Sequence, residues 1–207
     1  MKIEIKQEKR NEIERIQREF ANQLSEKEIL KSTAQAINTT LSRSISNKQK
    51  GINAGIKREY NITQKYLSRM AAVSPKANSG HLWGGIMINE GKIPIIGFKP
   101  KQAGSHISVQ IHKGKTVYVR NSFVATMASG HTGVYSRGKY DKKEGFIPGK
   151  EKTESGKIRI TQMHTASPFG MGTSKNVSAE VQSFMGDEVL ARVEGILRSK
   201  VDKIMKL

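Results

Sequence analysis

The chain has 207 residues, no cysteine, and 36 Lys and Arg against 18 Asp and Glu, for a net charge of +18. That length holds one domain with a real core, and the missing cysteine excludes both a disulfide framework and a thiolate metal site. No apolar run approaches the roughly 20 residues that span a bilayer, and the first residues lack the apolar stretch of a signal peptide, so a soluble protein made in the cytoplasm, with no membrane partner, is expected. The charge is unevenly placed: residues 1–30 balance seven against seven, whereas residues 61–150 hold fourteen Lys and Arg against three Asp and Glu. A basic middle between charge-balanced ends suggests a surface that faces polyanion.

In chain order, Ile13, Ile16, Phe20 and Leu24 are spaced for one narrow apolar stripe on a helix over 6–24. Ser25 followed by Glu28 is a capping-box pattern, which predicts a break and a second helix from Glu26 to about Lys50. Its stripe is Ile29, Leu30, Ala34, Ile37, Leu41 and Ile45. Asn61 is placed to cap a further helix reaching about Val73, and Ser74-Pro75 ends it. Leu82 to Asn89 reads as the first strand, with Gly84-Gly85 marking a bulge or a close backbone approach and Trp83 as a core residue. Pro94 and Pro100 confine Ile93–Lys101 to an edge strand or irregular segment.

Val109, Ile111, Val117 and Val119 alternate about a turn at His112–Lys115, the pattern of a hairpin over 107–120. A second hairpin spans Asn121 to Arg137: Phe123, Val124 and Ala125 read as a short buried run, Ser129-Gly130-His131 as the turn, and Val134 and Tyr135 as the return strand. Residues 138–156 read as a flexible basic loop, and 167–175 as a second loop. The last helix is expected to open at Ser178, with its stripe running from Val181 through Phe184, Met185, Val189, Val193, Ile196, Leu197 and Val201 to Ile204. The expected fold is α+β: long N-terminal helices, a central small antiparallel sheet, and a long C-terminal helix packed on the sheet. Residues 1–60 form an N-terminal helical segment and 61–207 the α+β core.

Chemistry is scarce. Histidines stand at 81, 106, 112, 131 and 164 without metal-ligand spacing, and the only carboxylates across 61–150 are Glu90, Asp141 and Glu144. His131 near Ser129 lacks an orienting acid, so a hydrogen-bonding role in the turn is expected of it. No phosphate-binding glycine loop occurs. Catalytic residues, cofactors and metals are expected to be none, and the protein is expected not to be an enzyme.

The segments Asn121-Ser-Phe-Val-Ala-Thr-Met127, Ser129-Gly-His-Thr-Gly-Val-Tyr-Ser-Arg137, Ile93-Pro-Ile-Ile-Gly-Phe98, the turn Lys113-Gly-Lys115 and Ile158 to Pro168 together resemble the prophage minor tail protein Z family, the neck and tail-completion proteins of tailed bacteriophages. The resemblance covers roughly 62–207, and departs from the family pattern at Thr165-Ala-Ser-Pro168. It implies a structural virion protein: a homo-oligomeric ring, six-fold, that joins the head-closure proteins to the tail terminator and tail tube. It also implies a location in the virion neck, with host cytoplasm as the site of assembly. Its basic face would line the channel for genomic double-stranded DNA without reading sequence. The candidate subunit-interface or DNA-channel residues are Lys113, Lys115, Arg120, Arg137, Lys139, Lys142, Lys143 and Lys150. The alternatives are a stand-alone basic nucleic-acid-binding protein, against which aromatics look too few to form a stacking platform, and a hydrolase using His131 or His164, against which carboxylates are short.

Overall fold

The computed structural model describes residues 7–141, 145–149, 152–154 and 156–206. The class is α+β, with long N-terminal helices, small antiparallel sheets and a long closing helix that packs on strands. Helices α1 (Gln7–Glu19), α2 (Glu26–Ser46), α3 (Ile52–Glu59) and α4 (Gln64–Leu67) come first, then strands β1 (Ala71–Val73) and β2 (Ile86–Ile88) and a 3-10 turn at Ile95–Phe98. Strands β3 (Lys101–Ala103), β4 (His106–Val109), β5 (Val117–Arg120), β6 (Ser122–Thr126), β7 (Thr132–Asp141), β8 (Gly145–Pro148) and β9 (Ile160–Gln162) follow, and helices α5 (Pro168–Gly172) and α6 (Lys175–Ile204) close the chain.

The boundary between compact units falls elsewhere than residue 60. A helical unit gathers Met1–Ile56, Arg69–Asn89 and Phe169–Leu207, and a β unit gathers Lys57–Ser68 and Glu90–Pro168. The closing helix therefore joins the N-terminal helices, and its most extensive partner is α2.

In the helical unit, α2 starts as expected. Ser25 Oγ accepts from the Glu28 amide at 3.4 Å, and the Glu28 carboxylate accepts from the Ser25 amide at 3.2 Å and from its hydroxyl at 2.7 Å. The hydroxyl and amide of Ser25 are the main reasons the Glu28 carboxyl sits below its ordinary value, with Lys200 adding a smaller pull. Because the folded value is depressed, the box's contribution is present above the ordinary glutamate pKa of about 4.3 and is lost as pH falls through Glu28's lower folded value. Ser25→Ala should destabilise by about 1 kcal/mol at neutral pH, and should flatten the acid limb of stability against pH. Urea melts of both proteins between pH 3 and 7 check this.

Helix α2 stops at Ser46, short of Lys50, because Asn47 Oδ1 accepts from the amides of Gln49 and Lys50 and turns the chain. Its buried residues form two rows at four-residue steps. One is Ile29, Thr33, Ile37 and Leu41; the other is the small-residue row Ser32, Ala36, Thr40 and Ser44. The small row lets a neighbouring backbone approach closely. Ser32 and Ser44 of that row donate to carbonyls four residues back, and in the other row Thr33 accepts from Gln17 of α1 at 2.8 Å. Arg43 of α2 and Arg192 share the Glu188 carboxylate of α6 at 2.7 and 2.6 Å.

Helix α6 opens after Ser174, one turn before the expected Ser178. Its buried residues are Val177, Val181, Met185, Val189, Val193, Leu197 and Val201, a strict four-residue step. Four residues turn a helix by about 400°, so each step carries the stripe about 40° onward, and six steps carry it about 240° around the axis. Phe184 and Ile196 are only half-buried, and Ile204, expected in the stripe, is 49% exposed.

Three expectations in this unit change. Ala71–Val73, expected at the end of a helix, is a strand paired with Ile86–Ile88. Trp83 is half-buried, with its ring edge-on to His81 at 4.4 Å, rather than in the core. The loop expected at 167–175 contains α5, whose Met171 is fully buried. The close approach expected at Gly84 is present: a Cβ there would stand 2.8 Å from Leu41 Cδ1 and 3.0 Å from the Pro75 carbonyl.

The β unit carries two antiparallel sheets, β3-β4-β5 and β6-β7-β8, with β9 also paired to β7. The helix expected from Asn61 is the four-residue α4, because the Asn61 amide donates to Ile111 and the Thr63 amide to Gly97, both tertiary bonds. Both predicted hairpins form. The run Phe123–Ala125 is not buried: Val124 is 38% exposed, and the buried positions of this hairpin are Ser122, Gly133, Val134, Tyr135 and Ser136. The stretch expected to be a loop from 138 is paired strand at Gly138–Asp141 and Gly145–Pro148.

A single residue, Asn121, carries the chain from one sheet to the other in a left-handed conformation (φ 53°), which Asn tolerates better than most side chains. Its carbonyl accepts from the buried Ser136 hydroxyl at 2.9 Å. The Gln102 amide bridges the two sheets: its Oε1 accepts from the Val124 amide at 3.0 Å, and its Nε2 donates to the Gly104 carbonyl at 2.6 Å. Among the described residues no helix is long and apolar enough to cross a membrane.

Candidate nucleic-acid interface

Seventeen Lys and Arg against six Asp and Glu lie in the β unit, compared with nineteen against twelve in the helical unit. The sheet register decides where those cations stand. Residues directly opposite one another share a face, and faces alternate along a strand. Lys101 pairs Ser108, which pairs Tyr118; Ala103 pairs His106, which pairs Arg120. These six occupy one face of β3-β4-β5. The opposite face holds Ile107 and Val109, at 0% and 2% exposure, so it faces the core.

The candidate residues do not form one array. Lys113 and Lys115 stand exposed in the loop between β4 and β5. That loop is held by the Lys113 amide on the Glu59 carbonyl and by Tyr60 ring contact with His112 at 4.4 Å. Burial and the nearby Glu59 push the Tyr60 hydroxyl above its ordinary pKa. Arg120 lies on the open sheet face at the far end of β5 from that loop. Arg137 belongs to the other sheet, where its guanidinium lies over the Phe123 ring at 5.7 Å. It borders a cleft of about 580 Å³ with Asn121, Ser105 and Gly149. Lys139 is in β7, opposite Ile147. Lys142, Lys143 and Lys150 lie outside the described residues.

Two cations were missed: Lys101, on the outer strand of the same open face, and Lys99, exposed two residues before it. They border a cleft of about 390 Å³ with Asn61, Ser108, Gln110 and Thr116, and no carboxylate lines it. Among the described residues Lys99, Lys101, Lys113, Lys115 and Arg120 have no ion-pair partner; in the helical unit Arg18, Arg43, Arg192 and Arg198 are paired, and Arg10, Arg15 and Arg69 are not. The signal in the sequence was the pair Lys99 and Lys101 flanking Pro100, which a reading of Ile93–Lys101 only as an edge strand or irregular segment passes over.

His131 meets the Gln162 side chain at 2.9 Å, across the β7–β9 pair, rather than a serine. No group of three or more His, Cys, Asp or Glu among the described residues could hold a metal ion. The arrangement offers fixed positive charge on a rigid sheet, suited to holding an anionic polymer. Comparison with protein-family models, curated proteins and solved structures finds no match to this chain.

Proposed function

We propose that the chain is a structural, non-enzymatic subunit of the neck of a tailed phage, assembled as a ring of identical copies between the head-closure and tail-terminator proteins. In this reading its basic β unit is turned toward the DNA. The observation that carries the DNA-facing half is the imbalance of charge: seventeen Lys and Arg against six Asp and Glu in the β unit, compared with nineteen against twelve in the helical one, with Lys101 and Arg120 on one open sheet face. The phage half rests on the ordered resemblance of 62–207.

Ring assembly needs a heterologous contact, and the helical unit has complementary surfaces for one. At the end of α6, Ile204 and Met205 are 49% and 79% exposed between Lys203 and Lys206. Between α1 and α2, a groove of about 400 Å³ is lined by Leu24, Ile29 and Leu30, with Glu14, Arg18 and Glu26 as its charged residues, Arg18 paired to Glu14. A basic-flanked apolar tip from one copy fits the acid-bordered groove of the next. Met205→Glu should raise the dissociation constant of the assembly at least tenfold without moving the thermal midpoint of the separated subunit, because the side chain is exposed. Mass photometry across concentration, with imaging of purified particles, tests this. A wild-type chain that stays single at high concentration and is absent from particles overturns it. The second reading, a stand-alone nucleic-acid-binding protein, is favoured by one observation, the exposed Tyr118 on the same face as Arg120.

A further inference from the structure

We propose that the open face of β3-β4-β5 binds single-stranded nucleic acid, with a backbone phosphate in the Lys99–Lys101 cleft and a base stacked on Tyr118. This does not depend on the ring. Tyr118 is 64% exposed, the most exposed aromatic side chain described, and its ring meets His106 edge-on at 5.5 Å. An edge contact on one side holds the ring while leaving a π-face free, which is what an unpaired base needs.

Lys101 is two strands across from Tyr118 in the same row, so at roughly 4.8 Å per strand the ammonium group can reach a phosphate beside a base on Tyr118. At the Tyr118 row's outer end the cleft adds Lys99, Gln110 and Thr116, the last two already hydrogen-bonded to each other at 3.1 Å, and it has no carboxylate to repel a phosphate. Lys99 is held in a left-handed conformation (φ 50°) that lysine rarely adopts, and local strain of this kind collects at binding sites. Arg120, at the other end of the face, extends the positive track past Tyr118.

Duplex DNA fits this face poorly. Its bases are already stacked, and the described residues of the β unit offer no helix that exposes a row of cations for a groove. A small sheet with an upright aromatic ring and flanking lysines matches the way sheets take unpaired strands. The low count of aromatics in the sequence had argued against a platform; the register supplies one by bringing His106 and Tyr118 together.

The test is fluorescence anisotropy of the full chain with a labelled 15-nucleotide dT oligomer, a duplex of equal length, and inorganic polyphosphate as a probe of charge alone. Expected are tighter binding of dT than of either competitor, a loss of at least tenfold with Tyr118→Ala, and retention with Tyr118→Phe. Lys99→Ala should weaken binding and lower the salt slope by about 0.7. Equal binding of dT and duplex, or a Tyr118→Ala protein that binds as well as wild type, overturns the proposal. Mass photometry of the same variants keeps the outcomes apart: strand binding can fail while the ring persists, and the ring can fail while strand binding persists.

Discussion

Leu41→Ala should lower stability by about 2–5 kcal/mol, Gly84→Ala by about 1–3 kcal/mol, and the double variant by distinctly less than the two together. Leu41 is fully buried on α2, and its Cδ1 stands 2.8 Å from where a Cβ on Gly84 would be. Each single change therefore errs in the opposite direction at one place: the first leaves a void, the second overfills it. Together the new methyl group occupies part of the space that leucine vacated. The relief is incomplete, because the Pro75 carbonyl at 3.0 Å is backbone and cannot move as a side chain does. A coupling energy of about 1 kcal/mol from chemical-denaturation midpoints, at unchanged slope, would match this geometry. Strict additivity would mean that the loop at Gly84 does not lie on Leu41.

Along α6, Leu197→Ala should cost about 2–5 kcal/mol, while Ile204→Ala should change stability by less than about 0.5 kcal/mol. Both residues are apolar and belong to the same expected stripe, and Ile196→Ala should fall between them. The difference comes from the four-residue step: Leu197 has 0% exposure, its neighbour Ile196 is half-buried, and Ile204 has left the core altogether. A helix with an ordinary 3.6-residue stripe would make Ile196 and Leu197 comparable. The same urea titrations on the three variants decide between the two patterns.

These two tests also mark where sequence reasoning worked and where it stopped. Ser25 and Glu28 were readable because a capping box is local: both partners lie within four residues, and nothing distant has to be known. Both hairpins were readable from alternation, and the long last helix from its dense apolar content. Burial within them was less legible. Phe123 to Ala125 look like core by type, but on a two-faced strand half of any such run points outward. Ala71–Val73 followed a helical pattern, and only pairing with Ile86–Ile88 made it a strand. The compact units divide elsewhere than residue 60 for the same reason: α2 ends at Ser46, and its partner α6 begins only at Lys175. For the candidate interface, counting cations singled out the middle of the chain. Sorting them required the register, which set Arg120 on the open face, sent Arg137 to another sheet, and brought in Lys101.

The winding of the buried stripe on α6 has a consequence for what can touch the helix. Although the covered side migrates round the cylinder, one narrow lane stays open along nearly its whole length, through Asn176, Ser183, Asp187, Glu194 and Arg198, and each of these is polar. A visiting helix laid lengthwise would meet hydrophilic side chains there and no large apolar footing. On α6, greasy contact from outside is left to Ile204 and Met205.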